Sequence, residues 1–471
     1  MDRSSSGKVL FATFDVIPDP TGTSAQTTRT LQGLTAFHEV EVLSAKTPEH
    51  AHIERYFGAR LLRVPIGQGD LRDQAEAFSR AVRRQLQSEE YDLVHFTDPF
   101  GGYPICELRS ALGSKLVYEA RAFPSIEVKY LEPELETDLA FITRMRRQEI
   151  FCLSNADVVL VPSSQTREYV LSLGVAPEKI HVHRPMVDKA PLGALPPPEG
   201  APCRVLYLGS HASWQGIPSL LFALRFAMKR EVMKVRVIGP THGSWQRQLQ
   251  EMIREFGLRD HVTLELPVPH EDIPSILAQT DVVVAPLQKG DRNQEQGACP
   301  MKLAEAMSAG RCIITADLPI TREILEHEVS GLLYPPSDED ALGDLLVKAA
   351  RDVKLRCRLG AVAQATSGDF DALERRASLL HHYARLLQPE VEVERSVFRR
   401  AIATGPEARP GDETTQPKGE SPEGPTSTAN LEELRARVEQ DARPPDAAEL
   451  PTGPSARPVY EPEESTGPRL A

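Results

Sequence analysis

Long apolar runs are missing from this sequence. No stretch reaches roughly the 18 apolar residues that a bilayer span requires, so no segment reads as a membrane-crossing helix. The opening MDRSSSGKVLFATF passes from polar residues straight into a strand-like run. Without a basic region, an apolar core and a small-residue cleavage site, it predicts no secretory leader and a cytoplasmic location. Cysteine is scarce and scattered, at Cys106, Cys152, Cys203, Cys299, Cys312 and Cys357, with no CxxC pair. That spacing indicates neither a zinc site nor a disulfide framework and predicts reduced, mostly buried thiols. Positive charge is in deficit: 54 Lys and Arg stand against 67 Asp and Glu, a net charge of -13. A chain so acidic is not built to wrap nucleic acid, although a local basic pocket for a phosphorylated ligand stays open.

What the sequence does have is a rhythm. Short β-branched runs alternate with helical patterns from Lys8 to about Leu387: KVLFATF, EVEVLSA, RLLRVP, DLVHFT, KLVYEA and DVVLVPS, then RVLYLG, KVRVIG, VTLEL, DVVVAPL, RCIITA and GLLYP. Runs apolar on both faces suit parallel strands covered by helices. The βαβ alternation predicts an α/β protein with two Rossmann-like, doubly wound domains facing a cleft. The expected boundaries are 1–188 for an acceptor-side domain, 189–202 for a Pro/Gly-rich linker and 203–370 for a donor-binding domain. A helix over 371–388 is expected to close the second domain and pack back toward the first. Residues 389–471 are rich in Pro, Glu, Thr and Gly and read as a disordered acidic tail. Within the tail, Asn430 and Glu433 make a helix-cap signature, a segment suited to a protein partner.

Three segments carry chemistry. In Cys299-Pro-Met-Lys-Leu-Ala-Glu-Ala-Met-Ser-Ala-Gly310, Pro300 fits a first helical turn and Gly310 a stop. Lys302 and Glu305, three apart, share a face near the helix start, where free N–H groups and positive potential suit a diphosphate. Spacing alone is equally consistent with a surface ion pair. In RVLYLGSHASWQGIPSLLFAL a strand ends at Leu208, Gly209 and Ser210 turn the chain, and a helix begins near Gly216. Such a turn lets backbone amides approach phosphate oxygens, although a plain strand–helix connection reads the same way. In the first domain, Thr21-Gly22-Thr23-Ser24 follows the first strand, as a loop or a simple cap. Glu119 and Arg121 end KLVYEA, either at the cleft or as a rim ion pair.

PMKLAEAMSAGRCIIT, followed by ITREILEHEVSGLLYPPSDEDAL, resembles the donor-binding region of family-4 glycosyltransferases. The resemblance extends over about residues 8–388 and is strongest over 203–345. It implies the GT-B fold, transfer of a sugar from a nucleotide-diphosphate sugar to a saccharide or lipid-linked hydroxyl, retention at the anomeric carbon and no metal cofactor. Glu305 corresponds to the second glutamate of the family's Glu-x7-Glu motif, which holds the nucleotide ribose. On this resemblance Gly209, Ser210, Gln215, Gly216, Lys302, Leu303 and Glu305 form the donor side, with Glu295 close to the place of the family's first glutamate and Arg292 a cation that compensates for the missing ones. Gly22 and Thr23 form the acceptor-side loop, and Glu119 and Arg121 are the catalytic candidates. Several positions depart from the family pattern. Ser210 and Gln215 replace an arginine and a lysine, Gly297 stands at the first glutamate, Arg121 replaces a histidine, and Arg184-Pro185-Met186 replaces Pro-Asn-Gly. A bacterial exopolysaccharide-associated branch of the family shares several of these features. A non-catalytic nucleotide-sugar-binding or assembly subunit on the same fold is the second reading.

Other signals are weaker. Asp338-Glu-Asp340 and Asp369-Phe-Asp371 mimic a metal-binding Asp-x-Asp, but each precedes a helical pattern and reads as an acidic first turn. His381-His382 fall on an amphipathic helix. FITRMRRQEIFCL, with Arg144, Arg146 and Arg147, suits a helix packed on the first sheet better than peripheral contact with an anionic membrane.

Overall fold

The computed structural model describes residues 7–189, 201–241, 243–390 and 393–404. Two separate sheets form. The first contains β1 (Lys8–Val16), β2 (Glu39–Lys46), β3 (Ile53–Tyr56), β4 (Ala59–Pro65), β5 (Leu93–Phe96), β6 (Lys115–Glu119), β7 (Val158–Val161) and β8 (Ile180–Val182), in the order β3-β4-β2-β1-β5-β6-β7-β8. The second contains β9 (Cys203–Leu208), β10 (Met233–Ile238), β11 (Val262–Glu265), β12 (Val282–Ala285), β13 (Cys312–Ala316) and β14 (Leu332–Tyr334), in the order β11-β10-β9-β12-β13-β14. All pairings are parallel except β3 with β4.

All twelve expected runs form strands. β3 and β8 were not anticipated, and the reason is physical. Ile53 and its neighbours on β3 lie exposed at a sheet edge, without an apolar pattern. β8 has only three residues. Central strands are buried on both faces, β5 and β12 completely, which is why their sequences are continuously apolar. The strand order reverses beside β1 in one sheet and beside β9 in the other. Ligands of such sheets bind beyond the C-terminal strand ends at these switch points.

The chain crosses between the lobes twice, and the two crossings are hydrogen-bonded together. Val187 N donates to Phe370 O (2.8 Å) and Ala372 N to Val187 O (3.1 Å). Asp371 then caps the helix Ala372–Leu387 by accepting from Leu373 N and Glu374 N. Ala377, Leu379, Leu380 and Tyr383 of that helix pack into the first lobe's core with Val9, Phe11 and Leu31. Asp338 likewise caps the helix Glu339–Arg351, so both Asp-x-Asp mimics include a helix cap.

Order extends further than composition suggested. A helix at Arg395–Thr404 follows the expected start of the tail at 389. Its Phe398 is buried and meets Phe37 edge-on at 5.5 Å, and Ile402 packs beside the same core. These two apolar residues, one helical turn apart, fix a segment whose charge otherwise reads as solvated. Residues 405–471, including the Asn430–Glu433 signature, lie outside the described residues, as do residues 190–200 of the expected linker 189–202.

Candidate active site

The second lobe contributes a buried cation. Lys302, on the helix Met301–Ser308, lies beneath the turn that follows β9, where a Cβ on Gly209 would come 3.0 Å from its Nζ. Lys302 Nζ donates to Gln215 Oε1 (2.6 Å) and stands 4.1 Å above the centre of the Tyr207 ring. Tyr207 in turn donates its hydroxyl proton to Ser210 O. Burial, reinforced by the nearby charge of Arg292, pushes the Lys302 amine down to about 7. Gln215 therefore orients Lys302 through a neutral acceptor, at a position where a lysine would repel it.

Glu305, one turn further, is also buried. His270 Nε2 stands 3.2 Å from its Oε1, and the same nitrogen is 2.7 Å from Arg29 Nη2 of the first lobe. Glu305 thus lies at the boundary between the lobes. The other donor-side candidates divide. Gly209, Ser210, Gln215 and Lys302 converge, and Gly216 starts the next helix in a left-handed conformation. Arg292 stacks 4.7 Å from the Trp214 ring centre but gives its Nε to Glu127 of the opposite lobe (2.7 Å). Glu295 is exposed on the turn 292–296. Leu303 is not brought to the site: its side chain is in the core and its N–H donates to Pro300 O.

In the first lobe, Arg121 forks onto Glu119 through Nε (2.9 Å) and Nη2 (2.8 Å). Its Nη1 reaches Thr27 Oγ1 (2.7 Å) and Thr23 O (3.2 Å), so this residue anchors the start of the helix Gly22–Leu34. Burial opposes charge on Glu119, but Arg121 and His95 outweigh it and hold the carboxyl well below the usual range. His95 Nε2 lies 3.2 Å from Glu119 Oε2, and its Nδ1 is 2.7 Å from the Tyr383 hydroxyl. Gly22 and Thr23 are exposed at the start of the helix Gly22–Leu34. Gln26, one turn on, contacts Met301 Sδ at 3.6 Å. The start of the helix Gly22–Leu34 and the start of the helix Met301–Ser308 therefore face each other.

Gly297 explains one departure from the family pattern. Its φ is +70°, a conformation that disfavours other residues. Its carbonyl accepts from Ser163 Oγ (2.6 Å) and Thr166 Oγ1 (3.0 Å) of the first lobe. A Cβ there would lie 2.6 Å from Gln165 Cγ. Sequence reading did not single out His95, Tyr383, Glu127, His270 or His211. The one available signal was His95 itself, a histidine inside the otherwise apolar run DLVHFT. Among the described residues, no group of three or more His, Cys, Asp or Glu side chains could hold a metal ion, and no helix is long and apolar enough to cross a membrane. Arg144, Arg146 and Arg147 are exposed, while Phe141, Met145 and Cys152 of the same helix enter the first lobe's core.

Two nucleotide-type lobes meeting across a cleft define the GT-B class. Residues 21–185 match the glycosyl transferase 4-like domain and residues 197–366 the glycosyl transferases group 1. The chain belongs to the family-4 glycosyltransferases of GT-B fold. It is 27% identical over 197 residues to the amylovoran biosynthesis glycosyltransferase AmsK of Erwinia amylovora, covering 41% of this chain and 47% of that protein. The chain thus spans about half the length of this relative. A longer match, 25% over 353 residues, joins it to the D-inositol 3-phosphate glycosyltransferase of Xylanimonas cellulosilytica, covering 70% and 82% of the two chains. The fold is that of the sucrose-phosphate synthase of Thermosynechococcus elongatus (TM-score 0.69, 19% identity, 81% of this chain and 99% of that one). Anabaena Alr3699/HepE in complex with UDP-glucose shares it too (TM-score 0.64, 18% identity, 80% and 99%).

Proposed function

We propose that this chain transfers a sugar from a nucleotide-diphosphate sugar to a hydroxyl of a saccharide or lipid-linked acceptor, in polysaccharide or glycoconjugate synthesis. Lys302 carries the proposal. A buried amine whose hydrogen-bond partner is a neutral amide is costly unless an anion completes its environment. In this reading Lys302 and the Gly209–Ser210 turn take the diphosphate, and Glu305, whose buried Oε1 has no hydrogen-bond partner, takes the ribose hydroxyls. The acceptor enters past Gly22, Thr23 and Arg121. As the sugar–oxygen bond breaks, the departing diphosphate gains charge, and Lys302 with the turn's amides stabilises it without reorganisation. The acceptor hydroxyl attacks from the face the diphosphate leaves and passes its proton to the departing phosphate oxygen, which gives retention, and no divalent metal takes part. The relative named for amylovoran biosynthesis supports the polymer context, and the neighbour with bound UDP-glucose supports the donor class.

A panel of UDP-, GDP- and ADP-sugars, with released nucleotide as the readout and chelator in parallel, tests this. Release with one donor, unaffected by chelator, is expected. Silence across the panel removes the enzymatic reading. The Gly297 position favours the second reading, a nucleotide-sugar-binding assembly subunit, because the first lobe occupies the space of the family's first glutamate. Tight nucleotide binding without turnover would select it.

A further inference from the structure

We infer that His211 is a further donor-site residue, its imidazole donating a hydrogen bond to a phosphate oxygen of the bound nucleoside diphosphate. The inference rests on the donor-site reading of Lys302 and the Gly209 turn. His211 lies two residues beyond Gly209, its position fixed by a hydrogen bond from its backbone N to Pro240 O (2.9 Å). Its ring centre is 6.2 Å from that of Tyr207, the ring that carries Lys302 on its face. The residue is only 2% exposed, yet neither ring nitrogen has a hydrogen-bond partner.

A neutral imidazole holds one donor and one acceptor, and leaving both unmade in a buried site is destabilising. The contrast with His95 is direct: equally buried, it meets Tyr383 and Glu119 with its two nitrogens. Trp214 Nε1, three residues after His211 on the same connection, is also buried without a partner. Unused donors therefore gather where Ser210 and Gln215 stand in place of the family's cations. Burial and the neighbouring Lys302 push the His211 imidazole down to about 4, so it meets the ligand as a neutral N–H donor.

The test compares His211→Ala, His211→Gln and His211→Leu with the full chain. Affinities for a nucleoside and its diphosphate are measured by calorimetry and ligand-observed NMR, using uridine with UDP, guanosine with GDP and adenosine with ADP. For the diphosphate that binds, His211→Ala and His211→Leu are expected to lose about 10- to 150-fold in affinity, the range of a charge-assisted hydrogen bond. Nucleoside affinity should stay within about twofold by the same reasoning. His211→Gln, which keeps an N–H donor, should recover part of the loss. His211→Leu should also raise the thermal midpoint, because it removes two unpartnered polar atoms. Wild-type diphosphate affinity in any folded variant of the Ala and Leu pair overturns the assignment of His211 alone. No diphosphate binding by the unaltered chain overturns the donor-site reading and this inference together.

Discussion

At the scale of single residues, Lys302 has the most direct consequence. Its free-state proton affinity is held at about 7 by burial and Arg292, and a diphosphate would raise it. Binding above pH 7 therefore takes up a proton. Nucleoside diphosphate affinity should fall as pH rises through 7 and beyond, by up to about tenfold per pH unit, and calorimetry in buffers of different ionisation enthalpy would register the uptake. The sign for folding is opposite. Unfolded lysine titrates near its model value of 10.5, so between about pH 7 and 10 the unfolded chain binds more protons and this residue makes stability rise with pH. Lys302→Met should abolish both dependences and weaken diphosphate binding by at least about tenfold. A variant with unchanged affinity would leave the diphosphate without its proposed cation.

At the scale of elements, caps and short apolar contacts decide where helices begin and end. Asp371 accepts from two backbone N–H groups at the start of the helix that returns to the first lobe. Asp371→Ala should cost about 1 kcal/mol, seen as a lower thermal midpoint. The helix Arg395–Thr404 rests on Phe398. Phe398→Ala should release it, seen as new proteolytic cleavage within 393–404 and a loss of about 3 kcal/mol or more. Elements were legible where burial is two-sided, because such strands must be apolar throughout. The edge strand β3 and the three-residue β8 were not legible, since a half-exposed or very short strand leaves no periodic signature. Arg395–Thr404 was hidden for a related reason: its stabilising partner, Phe37, is remote in sequence.

At the scale of the molecule, polar contacts close the lobes on one another. Lys129 and Tyr130 hold Asp291 at 2.7 and 3.0 Å, Glu127 holds Arg292, and Arg184 donates to Glu323 (2.7 Å). Glu323 also accepts from Ser164 N (2.8 Å), at the start of a helix in the opposite lobe. Glu127→Ala with Asp291→Asn should shift the lobes toward an open form. At roughly 1.5–3 kcal/mol per hydrogen bond to a charged group, the closed-to-open ratio should fall by about 10- to 150-fold for each such bond lost. Small-angle scattering would record this as a larger radius of gyration, and an unchanged radius would show that these contacts do not set closure. Gly297→Glu, which restores the family's residue, should also favour opening, because its side chain meets Gln165.

The amino-acid order by itself determined the two α/β lobes and the helix start that places Lys302 and Glu305 together. These depend on neighbours within a few residues and on the simple rule that parallel strands are buried on both faces. Only the tertiary structure decided what each polar side chain does. Arg121 anchors Thr23 and Thr27, His95 meets both Glu119 and Tyr383, the latter 288 residues away along the chain, and Arg292 is claimed by Glu127. Hydrogen bonds between remote residues leave no periodic trace along a chain, because folding alone brings donor and acceptor within reach.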